Sequence, residues 1–241
     1  MINLRDAALS IIYPRSCQLC NRSVESWSDG ACCTNCWATT HIFEGGETLC
    51  YKCGRLLEHA GRKVQTVFCH RCDNDFYETA RAVGVYEGAL RVAVLELKET
   101  PFVPIRLRDL LIAAVKQSAL LVDSTCLVPV PLHVKRLRTR GYNQAAVLAR
   151  SLSPKIGLPV FENCLVREIH TAQHRGAMDE RARRESVECA FTVRQPRLVE
   201  NAKILLIDDV FTSGATASVC AQALKENGAS AVSVLTIARA I

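Results

Sequence analysis

Eight of the thirteen cysteines form four Cys-x-x-Cys pairs between residues 17 and 72, and this spacing is typical of a metal site. Two thiolates separated by two residues can turn back on one ion, and two such pairs make a tetrahedral site of four sulfurs. The sequence therefore predicts two structural zinc ions, with Cys32 as a spare thiol. Consecutive pairing gives two zinc ribbons in series, and a cross-braced arrangement is the alternative. The predicted ligands are Cys17, Cys20, Cys33, Cys36, Cys50, Cys53, Cys69 and Cys72.

A second group of residues that could take part in binding or catalysis lies in the segment 204–216, which reads ILLIDDVFTSGAT. Its four leading apolar residues predict a buried strand, and its glycine and hydroxyl residues predict a loop that leads into a helix. Backbone N–H groups, hydroxyls and the positive end of that helix can surround a phosphate monoester. The predicted phosphate-binding residues are Thr212, Ser213, Gly214, Ala215 and Thr216.

Two carboxylates, Asp208 and Asp209, separate the predicted strand from this predicted phosphate loop. They lie next to the predicted phosphate loop and carry the same sign of charge as a phosphate, so we do not interpret them as its ligands. We interpret them as ligands of sugar hydroxyls, either directly or through Mg²⁺ and its waters. The alternative interpretation is an acidic turn at a strand end, followed by an ordinary helix cap.

The stretch 124–161 contains no acidic residue, and six cations lie within it. Four of these cations fall within six residues, shortly after a Pro-Val-Pro sequence, so the stretch predicts a loop that binds an anion. A solvated basic loop is the alternative. The cations are Lys135, Arg136, Arg138, Arg140, Arg150 and Lys155.

The chain has 241 residues, of which 49% are hydrophobic and 22% charged, so it is typical of one or two globular domains. This composition excludes collagen-like, disordered and membrane-spanning classes. Residues 1–80 carry 8 Lys/Arg and 9 Asp/Glu, whereas residues 81–241 carry 22 and 15. We therefore predict two domains, an N-terminal helix with the zinc module in 1–80 and a second domain in 81–241. Because Asp6 interrupts the apolar stretch in residues 1–14, which has neither a basic region ahead of it nor a small-residue cleavage site after it, we expect a cytoplasmic protein without membrane insertion.

Strands and helices are predicted to alternate after residue 80. The predicted strands are 82–86, 126–130, 202–207 and 231–237, and the predicted helices are 2–12, 88–97, 105–122, 144–153 behind an Asn143 cap, and 215–226. Apolar strands without alternation favour a parallel sheet that is covered on both faces. The sequence thus predicts an α/β fold, with the two carboxylates and the phosphate loop at the carboxyl edge of its sheet.

The segment 204–216 resembles the signature that binds 5-phosphoribosyl-1-pyrophosphate (PRPP) in type I phosphoribosyltransferases. Nearly the whole chain resembles the ComF family, that of competence protein F. Besides the cysteine pairs, this resemblance rests on Tyr86, Gly88 and Lys98, on Pro129-Val130-Pro131-Leu132, on Arg140-Gly141-Tyr142-Asn143-Gln144, on Gln173, Arg183 and Arg184, and on Ala190-Phe191. Two residues depart from the family pattern, Ser186 in place of an asparagine and Ser213 in place of a threonine. Ser213 keeps the hydroxyl of the phosphate loop.

The resemblance implies a type I phosphoribosyltransferase-like domain in residues 81–241, binding PRPP together with Mg²⁺. It implies that Lys135 and Arg140 contact the pyrophosphate and that Asp208 and Asp209 contact the ribose. Asp208, Asp209 and Arg140 would be the catalytic residues. Residues 171–186 match the loop that closes over substrate in such transferases, and we interpret His170 and His174 as solvated loop residues rather than as bases.

Two functions follow as hypotheses. The first is an enzyme, a phosphoribosyltransferase that acts on PRPP or a related phosphorylated sugar and on an unidentified acceptor. The second is a non-catalytic protein that binds PRPP, a nucleotide or single-stranded DNA during DNA uptake, with possible protein partners in the competence machinery. A third hypothesis is a structural zinc module attached to a degenerate domain. Fold alone does not decide among them.

Overall fold

The computed structural model describes residues 13–57, 67–168 and 191–241. The predicted helix 2–12 and the predicted closing loop 171–186 lie outside the described residues, as do His170 and His174.

Within the described ranges the strands are β1 (Thr79–Val85), β2 (Cys126–Pro129), β3 (Leu165–Arg167), β4 (Phe191–Val193), β5 (Lys203–Phe211) and β6 (Ala231–Arg239). Four of them form a parallel sheet in the order β1-β6-β5-β2. β3 and β4 form a separate antiparallel pair. The predicted parallel α/β sheet is therefore confirmed. The predicted domain boundary at residue 80 stays a prediction.

The helices are α1 (Thr34–Ala38), α2 (Gly88–Glu99), α3 (Ile105–Lys116), α4 (Ala119–Val122), α5 (Val134–Arg140), α6 (Gln144–Ile156), α7 (Pro196–Val199) and α8 (Ala215–Glu226). The single predicted helix 105–122 is wrong, because Gln117 ends α3 and extended backbone at Ser118 separates it from α4. Helix α5 lies where a loop was predicted. None of its residues is buried, so it has no apolar periodicity that sequence could show.

The sheet separates two cores, because successive side chains of a strand point to opposite faces. Leu205 and Ile207 of β5 belong to a core with α2, α3 and α6, which we call the first face. Ile204 and Leu206 belong to a core with α8, β3 and β4, which we call the second face. The N-terminal cysteines divide in the same way, with those between 17 and 36 in the first core and those between 50 and 72 in the second.

Candidate functional site

The eight paired cysteines assemble into two tetrads by consecutive pairing. The first tetrad is Cys17, Cys20, Cys33 and Cys36, and the second is Cys50, Cys53, Cys69 and Cys72. In each tetrad the four sulfurs lie within 4.8 Å of one another. The cross-braced alternative is therefore wrong.

The sulfur separations suit a tetrahedral metal ion. They are 3.7 Å for Cys17–Cys36, 3.6 Å for Cys20–Cys33, 3.7 Å for Cys50–Cys72 and 3.4 Å for Cys53–Cys69. A zinc ion with Zn–S bonds of about 2.3 Å has tetrahedron edges of about 3.8 Å, close to these values. The separations are far longer than a disulfide bond of about 2.05 Å. The two tetrads are thus consistent with two structural zinc ions.

The first cysteine of each tetrad has a lowered pKa, which favours its thiolate form. Burial alone would raise the pKa of Cys17, but hydrogen bonds from backbone N–H groups, the first from Cys33, lower that pKa to about 6. Burial opposes ionisation of Cys50 in the same way, and backbone N–H donors, the first from Cys53, lower the pKa of Cys50 to about 7. Backbone donors that favour the charged sulfur favour the form that binds metal.

The phosphate loop, residues 212–216, joins β5 to α8 as predicted. Thr212, Ser213 and Ala215 are exposed, and Thr216 is partly buried. Gly214 has a φ of +87°, and a Cβ on it would lie 2.8 Å from Cζ of Phe211, so a side chain is excluded twice over. The loop therefore brings its backbone and hydroxyls to the surface at the positive end of α8, which is the arrangement that binds phosphate.

The acidic pair, Asp208 and Asp209, alternates between the two faces of the sheet. Asp208 Oδ1 accepts the backbone N–H of Asp209 at 2.8 Å. Burial, and then the neighbouring charge of Asp209, raise the pKa of Asp208 well above its ordinary value. A cation or a hydroxyl donor that arrives at the site relieves both effects. Carboxylate oxygens crowded in this way suit Mg²⁺, held directly or through its waters.

Asp209 is held by two residues to which the sequence analysis assigned no role. Lys98, in the last turn of α2, places Nζ 3.3 Å from Asp209 Oδ2. Gln144, at the start of α6, donates from Nε2 to the same oxygen at 3.4 Å. Both residues stood in motifs of the family resemblance, and nothing in their local sequence showed that they meet one carboxylate.

Gln144 also connects the acidic pair to Arg140, the cation predicted for pyrophosphate. Its Oε1 accepts a hydrogen bond from Arg140 Nη1 at 2.5 Å, while its Nε2 faces Asp209. Gln144 is only 6% exposed, so its amide is fixed between the two partners. The structure therefore brings together Arg140, Asp209 and the phosphate loop at one edge of the sheet.

The turn between α5 and α6 is fixed at both ends, and this fixes Arg140. Asn143 accepts the N–H of Ala145 at 3.0 Å as the helix cap, as predicted, and donates to the carbonyl of Val130 at 3.0 Å. The hydroxyl of Tyr142 donates to the carbonyl of Leu97 at 2.9 Å.

Helix α5 carries the predicted basic run on the surface. Residues 134–139 are exposed and Arg140 is partly buried. Lys135, predicted for the pyrophosphate, lies at the opposite end of this helix from Arg140, with its side chain in solvent. Among the described contacts of the helix, the hydrogen bond from Arg140 to Gln144 connects α5 to the acidic pair, because Gln144 also donates to Asp209.

No helix in the described ranges combines the length and the apolar composition that crossing a bilayer requires.

Comparison with known proteins agrees with these observations. Residues 8–73 match the family of the double zinc ribbon domain. The chain is 27% identical to competence protein F of Haemophilus influenzae over 86% of this chain and 96% of that protein. It is 29% identical to the DNA utilization protein YhgH of Escherichia coli K12 over 96% and 100%. It is 37% identical to competence protein ComFC of Bacillus subtilis over 47% and 44%, so that match spans less than half of ComFC.

Among solved structures, the chain is similar to a glutamine PRPP amidotransferase of B. subtilis, with a TM-score of 0.37 and 15% identity. This similarity covers 69% of this chain and 30% of the amidotransferase chain, so the chain spans about a third of that structure. The chain is thus similar along most of its length to competence protein F and to YhgH, and its N-terminal part matches the double zinc ribbon domain.

Proposed function

We propose that the chain binds PRPP with Mg²⁺ and transfers its phosphoribosyl group to an acceptor that is still to be identified. One observation carries this proposal: the hydrogen-bonded series Asp209–Gln144–Arg140 lies at the sheet edge where β5 runs into the phosphate loop. A sugar phosphate with a second anionic group needs a phosphate cradle, carboxylates for its hydroxyls and a cation beyond them.

Each part of PRPP has a proposed ligand in this arrangement. The 5-phosphate binds the N–H groups and hydroxyls of the phosphate loop. The ribose hydroxyls bind Asp208 and Asp209. The pyrophosphate binds Arg140, whose planar guanidinium can meet two oxygens at once. Lys135 adds positive potential at the same side.

The proposed reaction is a displacement at the anomeric carbon. The bond from this carbon to the pyrophosphate oxygen breaks as a nucleophilic atom of the acceptor bonds to the same carbon, and positive charge develops on the ribose ring while negative charge develops on the leaving pyrophosphate. Asp208 and Asp209 stabilise the sugar side, and Arg140 stabilises the leaving side. Bound Mg²⁺ would supply charge neutralisation of the pyrophosphate. Gln144 keeps Arg140 and Asp209 in fixed relative positions as the charges separate.

The test is Asp208→Asn combined with Asp209→Asn. We expect at least a hundredfold loss of Mg²⁺-dependent PRPP affinity in calorimetry, with the circular dichroism of a folded protein. The matched control is Asp109→Asn with Asp123→Asn, which also removes two carboxylates and should leave PRPP affinity unchanged, since these side chains are 62% and 63% exposed. Normal PRPP binding by the first variant would show that the ribose assignment is wrong. Release of pyrophosphate in the presence of candidate bases then tests catalysis.

A second function, binding of single-stranded DNA, is favoured by α5. Its Lys135, Arg136 and Arg138 are all exposed, which is more positive charge than one pyrophosphate needs. Two relatives carry names that refer to competence and DNA utilization. In this case α5 contacts backbone phosphates, and each lost contact reduces the salt dependence of binding.

The test measures the affinity for a short single strand at several salt concentrations. We expect Lys135→Ala with Arg138→Ala to flatten the logarithmic salt slope by roughly 1 to 2 units while PRPP affinity stays within twofold. The matched control is Lys116→Ala with Arg197→Ala, two exposed cations on α3 and α7 that lie outside the basic stretch. Absence of salt-dependent DNA binding by the parent would remove this function. Loss of PRPP affinity would instead assign Lys135 or Arg138 to the pyrophosphate.

These proposals include the two-domain division at residue 80 and a cytoplasmic location. A cytoplasm keeps thiols reduced and supplies phosphorylated sugars, and eight zinc thiolates need the first condition. Proteins of the competence machinery are the proposed protein partners.

A further inference from the structure

Arg239, near the end of β6, is buried next to the second tetrad. It is 7% exposed, and its Nη1 donates a hydrogen bond to the carbonyl of Cys53. Its Nη2 lies 3.7 Å from the sulfur of Cys53. One guanidinium therefore holds both the backbone and the sulfur of a predicted zinc ligand.

The same guanidinium lies against the ring that ends β5. Its Cζ is 4.7 Å from the centroid of the Phe211 ring, which is within range of a cation–π contact. Tyr77 packs edge-on to the same ring at 5.8 Å. Phe211 is 4% and Tyr77 1% exposed, so the stack has no room to shift into solvent.

The phosphate loop rests directly on this stack. The position of a Cβ on Gly214 would be 2.8 Å from Cζ of Phe211 and 3.1 Å from the hydroxyl of Tyr77. Gly214 thus lies next to the edge of the Phe211 ring and to the Tyr77 hydroxyl with no space for a side chain, and the position of its backbone depends on where these two side chains lie. A continuous series of contacts runs from the sulfur of Cys53 through Arg239 and Phe211 to Gly214.

We propose that Arg239 is a positioning residue which makes the second tetrad the support of the phosphate loop, so that the affinity for a 5-phosphate depends on this zinc site. The inference rests on the proposed function and adds a means by which zinc controls it. Backbone N–H groups bind phosphate only within a few tenths of an ångström of their best positions. A ring that shifts under Gly214 therefore costs affinity without unfolding the sheet.

An arginine at this place needs a reason other than filling space. Burying a charge is costly unless it is paired and hydrogen-bonded, and an apolar side chain would fill the same volume without that cost. A planar guanidinium can stack on Phe211 with its face and bond to Cys53 with its edge at the same time, which an ammonium cannot do. Arg239 satisfies the two demands together.

The test compares Arg239→Lys with the parent for three ligands, namely PRPP with Mg²⁺, ribose 5-phosphate and inorganic pyrophosphate with Mg²⁺. We expect PRPP and ribose 5-phosphate to lose affinity by a similar factor of about ten or more, because both use the phosphate loop. Affinity for inorganic pyrophosphate should stay within twofold, because it is assigned to Arg140. Zinc should remain at two ions per chain.

Arg106→Lys is the matched control. Arg106 lies 5.1 Å over the ring of Trp37, the residue after the predicted zinc ligand Cys36, and pairs with Asp29 at 3.2 Å, so it is also an arginine stacked on an aromatic ring near a tetrad. It lies on the first face, away from the phosphate loop, and its replacement should change none of the three affinities. Phe211→Leu keeps an apolar residue but removes the stack, and it should reproduce the Arg239→Lys pattern.

The possible outcomes separate the inference from the function on which it rests. If the parent binds neither PRPP nor ribose 5-phosphate, the proposed function is wrong and the inference falls with it. If the parent binds both, but Arg239→Lys and Phe211→Leu bind them equally well, the inference alone is overturned. A uniform loss for all three ligands, or loss of zinc by Arg239→Lys, would show a general folding role and overturn it as well.

Discussion

The two tetrads have the same ligands and nearly the same sulfur geometry, yet they lie against different faces of one sheet. The first tetrad packs with α2 and α3, where Asp29 pairs with Arg106 and Arg15 pairs with Glu96 at 3.1 Å. The second packs with α8 and the stack beneath the phosphate loop. The two tetrads therefore have the same metal ligands but different neighbours, and it is the second that packs with the side chains beneath the phosphate loop.

The acidic pair repeats this division on a smaller scale. Asp209 is held from the first face by Lys98 and Gln144, through contacts of 3.3 and 3.4 Å. Asp208 lies toward the second face, and burial with the charge of Asp209 raises its pKa. The comparison indicates that the first face holds Asp209 in place, whereas on our inference the second face positions the phosphate loop.

The largest expected effect comes from removing one ligand of each tetrad. Cys17→Ser and Cys50→Ser should each lower the zinc content from two ions to one and reduce the yield of folded protein, since a structural zinc contributes on the order of 10 kcal/mol. Folded Cys50→Ser should bind PRPP at least tenfold more weakly, whereas folded Cys17→Ser should bind it within twofold of the parent. Metal analysis and calorimetry give both numbers.

Equal losses of PRPP affinity in the two variants would remove the distinction between the tetrads. Fully folded parent protein without zinc would remove the metal assignment. Iron–sulfur clusters are the rival occupant of a site of four thiolates, and their colour would reveal them.

A smaller effect is expected from the two single carboxylate variants, with opposite signs. Asp208→Asn should raise the Tm at pH 8 by about 2 °C or more, roughly 1 kcal/mol in a chain of this size, because it removes a carboxyl group whose charged form is disfavoured by burial and by the charge of Asp209. Asp209→Asn should lower the Tm by a similar amount or more, because it removes the partner of Lys98. Both variants should lose PRPP affinity.

The pH dependence of the Asp208→Asn gain tests its cause. The pKa of Asp208 is raised on folding, so the parent loses stability as the pH rises from the unfolded value, about 3.9, through the folded one. The gain should therefore grow as the pH rises and should shrink toward pH 4. A gain that does not change with pH would assign it to packing instead.

The smallest effect is expected at Cys32, the spare thiol beside the first tetrad. Cys32 is 1% exposed, and burial raises the pKa of this thiol to about 12, so it is unsuited to metal binding. Cys32→Ala should keep two zinc ions and full PRPP affinity and should cost about 1 kcal/mol for the lost volume, measured by denaturant unfolding. A fall in zinc content would add Cys32 to the ligands of the first tetrad.

Much of the site could be predicted because its signal is local. The segment around Asp208 and Gly214 encodes strand, acidic pair, loop and helix in one short stretch, and α8 begins and ends where it was predicted. The cysteine spacing encodes the tetrads in the same way. The convergence of Lys98 and Gln144 on Asp209 could not be predicted, because Gln144 and Asp209 are 65 residues apart and tertiary packing alone brings them together.

The sequence pattern also failed to predict the end of β6, and this end carries the residue on which our further inference depends. The predicted strand ended at Ile237, whereas β6 continues through Arg239. A charged residue after an apolar run is typical of a strand end in solvent. Arg239 is buried because the second tetrad and Phe211 cover it, and neither is near it in sequence.

The position of β6 between β1 and β5 also predicts an order of folding. Each tetrad closes a short loop, since Cys17 and Cys36 are 19 positions apart in the sequence and Cys50 and Cys72 are 22 positions apart. β1 has to wait for a much later strand, since Thr79 lies opposite Ser233. Contacts of high sequence separation form slowly, because loop-closure entropy opposes them. During synthesis on the ribosome the ribbons can therefore take up their metal early, whereas Arg239 reaches Cys53, 186 residues away, only when the sheet closes. The ability to bind a 5-phosphate would then be one of the last properties that a newly made chain acquires.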